Sequence, residues 1–283
     1  MPIRVFNIIK LLLMCALLAG LAGCSGSSGD PAAAPPVATR LIAGTAEDGP
    51  IAGARVRLLD RESMDPVFAC GASGLGLCSQ IFDNQDGHFS FVLAIDVDPA
   101  TLLVETTGGV DQASRVDFSR SGFASTPLRM LAPLDRYLDR IDQVSVNPLT
   151  TLVVLSDRTA AAPQSASLQL LSGLGLTSGD TIFASPAHLA ETQRLTLLLS
   201  KLAILSSSED PFAVVTDYLL AGQQLLDETG QLMALELESA GLLAAEQVAV
   251  LQALQDALLN VTDPEQMSTS LRRQEIVQGF IPL

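Results

Sequence analysis

The chain has 283 residues with 31 acidic against 16 basic side chains, a formal net charge of -15 and a sequence pI near 4.3. Such an excess of carboxylates repels phosphate backbones and argues against nucleic acid as a partner. With no Trp and 2 Tyr, it lacks the aromatic platforms of sugar-binding modules, while 48% hydrophobic residues suffice for real cores.

Arg4 and Lys10 give the N-terminus a positive end, and Leu11 to Leu18 is an apolar run too short to span a bilayer as a mature helix. The next zone reads Leu21-Ala22-Gly23-Cys24. It resembles the lipobox of bacterial lipoproteins: an aliphatic residue, two small residues, then the cysteine whose thiol takes the lipid. The resemblance implies a signal peptide over 1–23, cleaved before Cys24, which carries a diacylglycerol and an N-acyl group such as palmitate. Two or more chains are needed because one acyl chain holds a protein only marginally. Ser25 stands where an Asp would favour inner-membrane retention, so the implied address is the outer membrane. From Ser25 to Thr39 the chain is mostly Gly, Ser, Ala and Pro, too poor in apolar residues to pack, and 24–39 is expected to be a lipidated flexible tether.

Loss of Arg4 and Lys10 with the leader takes the 16 basic residues to 14 against 31 acidic ones. Cys15 leaves too, and with Cys24 lipidated only Cys70 and Cys78 of the 4 cysteines remain in an oxidising compartment. Two readings compete there. A disulfide closing so short a loop contributes about 2.5 kcal/mol in the chain-entropy picture. A metal site would use both thiolates with His88, but Cys-x7-Cys is not a usual zinc spacing and a fourth ligand is missing, so the disulfide is the expectation.

From Arg40 to Pro133, short alternating apolar segments are separated by Gly, Pro and Asp turns, the pattern of strands. Ala54, Val56 and Leu58 share one face while Arg55 and Arg57 point away, and Phe89, Phe91, Leu93 and Ile95 form another apolar set. Asp86-Gly87, between Ile81-Phe82 and Phe89-Ser90-Phe91, is a hairpin signal. Further strands are expected over Thr39–Gly44, Leu102–Thr106, Ser114–Phe118 and Pro127–Leu131. Asp83, Asn84 and Asp86 offer oxygen ligands of the kind calcium takes, yet Phe82 and Leu93 stand where an EF-hand loop needs Asp and Glu. A plain hairpin is the simpler reading.

The run Gly44-Thr45-Ala46-Glu47-Asp48-Gly49-Pro50-Ile51-Ala52-Gly53-Ala54-Arg55-Val56, followed by Asn84-Gln85-Asp86-Gly87-His88-Phe89-Ser90-Phe91, resembles the carboxypeptidase regulatory-like modules. The resemblance covers about a third of the chain. It implies an immunoglobulin-like or transthyretin-like β-sandwich over 40–133 and, by analogy, a binding or spacer role. The Lys-to-Asn or Lys-to-Asp isopeptide lock of some related surface modules is ruled out, because Lys201 is the only lysine beyond the leader and lies outside this segment.

Residues 134–145, including Asp135-Arg136-Tyr137-Leu138-Asp139-Arg140, read as a connecting segment. Beyond it, Leu and Ala recur at helical spacing: Leu195, Leu198, Leu199, Leu202 and Leu205; Val215, Tyr218, Leu219 and Leu226; Ala244, Val248, Leu251, Leu254 and Leu258. A capping residue followed by proline marks the starts at Asn147-Pro148, Ser185-Pro186, Asp210-Pro211 and Asp263-Pro264. These predict helices over roughly 148–158, 165–173, 186–207, 211–227, 230–240, 243–260 and 264–279. The expected architecture is multidomain, an all-β immunoglobulin-like sandwich followed by an all-α helical bundle over 146–283. Asn147-Pro148-Leu149-Thr150-Thr151-Leu152-Val153 is similar to a junction in bacterial lipoproteins and surface proteins that joins such a sandwich to a helical tail, and reads as a capped helix start in preference to a binding motif.

No Gly-x-Ser-x-Gly elbow is present, Gly71-Ala72-Ser73-Gly74 lacking the last spacing, and no Ser-x-x-Lys exists. His88 and His188 are the only histidines, and neither lies in a recognisable acid-base motif. No Gly-rich phosphate loop follows a strand, so no cofactor is indicated. The sequence therefore points to a non-catalytic, membrane-anchored envelope lipoprotein that binds or spaces a protein or other envelope component. A calcium-dependent adhesive module using Asp83, Asn84 and Asp86, and an envelope hydrolase with an unrecognised site, are the alternatives.

Overall fold

Among the described residues nine strands set the framework: β1 (Thr39–Ala46), β2 (Ile51–Ala52), β3 (Arg55–Asp60), β4 (Cys78–Ser79), β5 (His88–Ala94), β6 (Leu102–Thr107), β7 (Val110–Asp111), β8 (Arg129–Pro133) and β9 (Val144–Val146). The computed structural model describes residues 38–47, 51–67, 78–79, 87–112, 117–119, 127–141, 143–159, 163–176, 179–185, 189–227, 230–259, 261–263, 266–267 and 269. The expected leader, Cys24 and most of the tether, and Cys70, Asp83, Asn84, Asp86 and His188, lie outside them.

The strands form three small sheets, ordered β4-β5-β1-β9, β3-β6-β8 and β2-β7. In the first, β1 runs antiparallel to β5, with Ile42 opposite Phe91 and Thr45 opposite His88, and parallel to β9. The parallel pairing is close. A Cβ on Gly44 would stand 2.0 Å from the Val144 carbonyl oxygen, so only glycine fits where β1 meets β9. Gly87 has φ +73°, and a Cβ there would meet the Ala46 carbonyl oxygen at 2.7 Å. Its own carbonyl accepts from the Ala46 N–H at 2.8 Å.

The alternation in the strands is used as the sequence implies. Ala54, Val56 and Leu58 are buried, as are Phe89, Phe91 and Leu93. Ile95 departs from its set and is exposed, because β5 ends at Ala94 and the chain turns. At the outer edge of β5 the paired strand is β4, Cys78 opposite Val92.

Six α-helices follow among the described residues: α1 (Pro148–Thr159), α2 (Pro163–Gly173), α3 (Ala190–Leu205), α4 (Pro211–Leu220), α5 (Ala234–Ser239) and α6 (Ala245–Leu258). Two proline starts are capped as expected. Asn147 Oδ1 accepts from Thr150 N–H at 3.0 Å, and Asp210 Oδ1 from Ala213 N–H at 3.1 Å. Ser185 is not the cap of α3, which begins at Ala190 after Leu189, and the Ser185 hydroxyl is turned to Glu47. The stripes of α3 and α4 are buried, and Val248, Leu251, Leu254 and Leu258 of α6 with them, whereas Ala244 is exposed.

The expected fold class, an immunoglobulin-like β-sandwich beside a separate helical bundle, is corrected by this arrangement. The chain is mixed α/β, with the three sheets and the six helices built around one hydrophobic core that runs from Ile42 through Val104 and Leu152 to Leu258 and Met267. The reason is visible in β3, β6 and β8. Leu58-Leu59, Leu102-Leu103 and Met130-Leu131 are adjacent apolar pairs, so this sheet carries buried apolar side chains on both faces. Leu58, Leu102 and Met130 enter the large core, and Leu59, Leu103 and Leu131 form a second cluster with Val154 of α1. A helix therefore covers the face that a free-standing sandwich would give to water. A strand, β9, also stands where the connecting segment was expected, with Val144 and Val146 buried beside β1.

Candidate functional site

Some of the buried polar groups lie where strands meet helices. At the start of α1, Asn147 and Thr150 bond reciprocally: Thr150 N–H donates to Asn147 Oδ1, and Asn147 N–H donates to the Thr150 hydroxyl at 3.0 Å. Thr150 Oγ1 lies 2.8 Å from the Leu131 carbonyl oxygen, to which it donates, and Thr151 Oγ1 accepts from Leu131 N–H at 2.9 Å. Leu131 lies on β8, an edge strand of its sheet. Its outward backbone groups are thus satisfied by two threonine hydroxyls from one helical turn, which blunts the edge against strand addition. The Asn147–Thr151 run is a helix start, as expected, and a sheet-edge cover, which sequence reasoning missed.

A second cluster joins β1, β9 and the segment ahead of α3. Glu47, 9% exposed, accepts at Oε2 from the Ser185 hydroxyl at 2.8 Å and more distantly from the Ser145 hydroxyl at 3.4 Å. Asn147 Nδ2 donates to Ser145 Oγ at 2.8 Å, and Tyr137 O–H donates to the Ser145 carbonyl at 3.1 Å. Burial pushes the Tyr137 phenol well above its ordinary range, so it stays a neutral donor. A carboxylate between two hydroxyls can in principle accept a proton. Here the same hydroxyls also tie backbone segments that are distant in sequence, which is a structural office.

Two ion clusters fix the three-stranded sheet. Glu105 of β6, 1% exposed, is held by Arg57 of β3 and Arg129 of β8, one arginine on each neighbouring strand. Arg61, just past β3, bridges Asp135 at 2.6 Å and Asp157 of α1 at 3.0 Å. Burial raises the Asp157 carboxyl above its ordinary value, with the Arg61 guanidinium opposing it in part. Opposite charges on successive strands were the signal available in the sequence for the first cluster. The second joins residues 74 and 96 apart, and no local pattern marks it.

Of the site residues singled out from sequence, Cys78 and His88 lie among the described residues. His88 is exposed at the start of β5, its Nδ1 3.2 Å from Thr45 Oγ1 across the strand pair. Cys78 lies in β4, and its expected partner Cys70 is outside the described residues, as are the calcium candidates Asp83, Asn84 and Asp86, the lipidation residue Cys24 and His188. Among the described residues no group of three or more His, Cys, Asp or Glu could hold a metal ion, and no helix is long and apolar enough to cross a membrane.

Compared with protein-family models, with curated proteins and with solved structures, the chain has no match.

Proposed function

We propose that the protein is a non-catalytic lipoprotein of the cell envelope, anchored through acylated Cys24, whose folded part binds or spaces another envelope component. One observation carries the non-catalytic part: the buried hydroxyl, amide and carboxylate groups of Glu47, Ser145, Asn147, Thr150 and Thr151, with the half-buried Ser185, are engaged in tying strands to the segments packed on them. The anchor is supported by the Leu21-Ala22-Gly23-Cys24 sequence behind an apolar run. The likeness of residues 44–56 and 84–91 to accessory modules points the same way.

In-cell crosslinking from the anchored protein tests this reading. An envelope component captured by the wild type and lost in the Cys24→Ser variant is the expected result. If nothing is captured, and the purified protein turns over an envelope ester, peptide or glycan with loss on His88→Ala or His188→Ala substitution, the protein is an enzyme.

A further inference from the structure

A cleft of about 280 Å³ opens between the turn that follows β8 and helix α2. The apolar part of its wall is formed by Val153 of α1, Leu170 of α2, and Ile182 and Phe183 of the 3-10 turn Gly179–Phe183. The polar part is Ser167 with Arg136 and Arg140, both arginines exposed to solvent. In a chain with 31 acidic and 16 basic side chains, a small cleft lined by two guanidinium groups and no carboxylate is a local reversal of charge.

These two cations are held by rings and a carbonyl more than by carboxylates. Arg136 lies 5.9 Å from the Phe183 ring centre and Arg140 lies 5.5 Å from that of Tyr137, and the two rings meet edge to face at 5.9 Å. Arg140 Nη2 reaches the Phe183 carbonyl at 3.4 Å. The nearest carboxylate to Arg136, Asp135, is 4.0 Å away and already bridged by Arg61 at 2.6 Å. Each guanidinium thus rests near an aromatic ring, and its exposure leaves donors open to an incoming anion.

We propose that this cleft binds an anionic amphiphile, a carboxylate or phosphate head on a single aliphatic chain, with the head on Arg136 and Arg140 and the first part of the chain against Val153, Leu170 and Ile182. The volume accepts one chain segment and leaves the rest outside. The site uses residues 136–183 alone, so it stands or falls independently of whether Cys24 is acylated.

Titration calorimetry of the full chain with octyl phosphate, below its micelle concentration, tests the proposal. Octanol supplies the chain without the head, and inorganic phosphate the head without the chain. Octyl phosphate should bind about tenfold or more tightly than either, since a charge-assisted hydrogen bond and the buried chain each contribute a factor of that order. The Arg136→Gln/Arg140→Gln double variant should lose about tenfold in affinity while Arg55→Gln, an exposed arginine on β3, loses none. Both arginines are exposed, so the double variant should keep the wild-type melting curve, read alongside. Octanol binding as tightly as octyl phosphate would mean a merely apolar patch, and inorganic phosphate binding as tightly would mean a plain anion site. Either result, no binding at all, or an unchanged affinity in the double variant overturns the proposal.

Discussion

The Thr150 hydroxyl donates to the backbone carbonyl of Leu131 at 2.8 Å, so the first turn of α1 closes the free edge of β8. Thr151 completes the closure by accepting from the Leu131 N–H at 2.9 Å. A Thr150→Val/Thr151→Val double variant keeps the side-chain shape and strips both partners from buried backbone groups. It should cost about 1–3 kcal/mol in urea denaturation, the ordinary penalty for leaving such groups unsatisfied. A change within about 0.5 kcal/mol, the scatter of surface substitutions, would show that water serves Leu131 equally well.

Glu105 predicts an order of effects. Removing both its partners, Arg57→Ala with Arg129→Ala, leaves a carboxylate that is 1% exposed with its charge uncompensated, a loss of about 3–5 kcal/mol. Glu105→Leu instead leaves two arginines whose side chains are 30% and 41% exposed and can turn to water, and it should cost only about 1 kcal/mol. Denaturation midpoints of the two variants decide the matter. The reverse order would mean that Glu105 contributes little as a charge.

Much of the strand set and nearly all the helices were legible because local rules decide them. Period-2 alternation placed Val56, Leu58, Phe89 and Phe91 inward, and the Asn147-Pro148 and Asp210-Pro211 pairs marked real caps. What escaped was non-local. The apolar doublets Leu58-Leu59, Leu102-Leu103 and Met130-Leu131 signal a sheet covered on both sides, but which element covers it depends on how α1 docks, and this alone turns a sandwich-plus-bundle into one mixed core. Ser185 illustrates the same limit at one residue: its position before proline suits a cap, and tertiary structure gives its hydroxyl to Glu47, 138 positions away. The buried clusters of Glu47 and Asp157 join segments that no spacing rule connects.

Asp157 makes stability depend on pH in a definite sense. Its folded carboxyl binds its proton more tightly than the ordinary value of 3.8, chiefly through burial. In the window that starts at 3.8 and extends up to the raised folded value, the native state holds more protons than the unfolded chain. The Asp157 contribution is therefore fully present below that window and is lost as pH rises through it. The stability difference between wild type and Asp157→Asn, from urea melts across pH 3 to 7 in steps of about one unit, should move in favour of the variant as pH rises. A difference that moves the other way would mean that the Arg61 ion pair outweighs burial.

The most direct measurement of the anchored-lipoprotein reading is intact and peptide mass spectrometry of the protein extracted from membranes. The expected N-terminal peptide begins at Cys24 and carries the mass of a diacylglyceryl thioether with an N-acyl group, and the Cys24→Ser variant yields no acylated peptide. An N-terminal peptide that begins elsewhere, or one that holds Cys24 without lipid, would contradict the anchor and with it the placement of the protein on a membrane of the envelope.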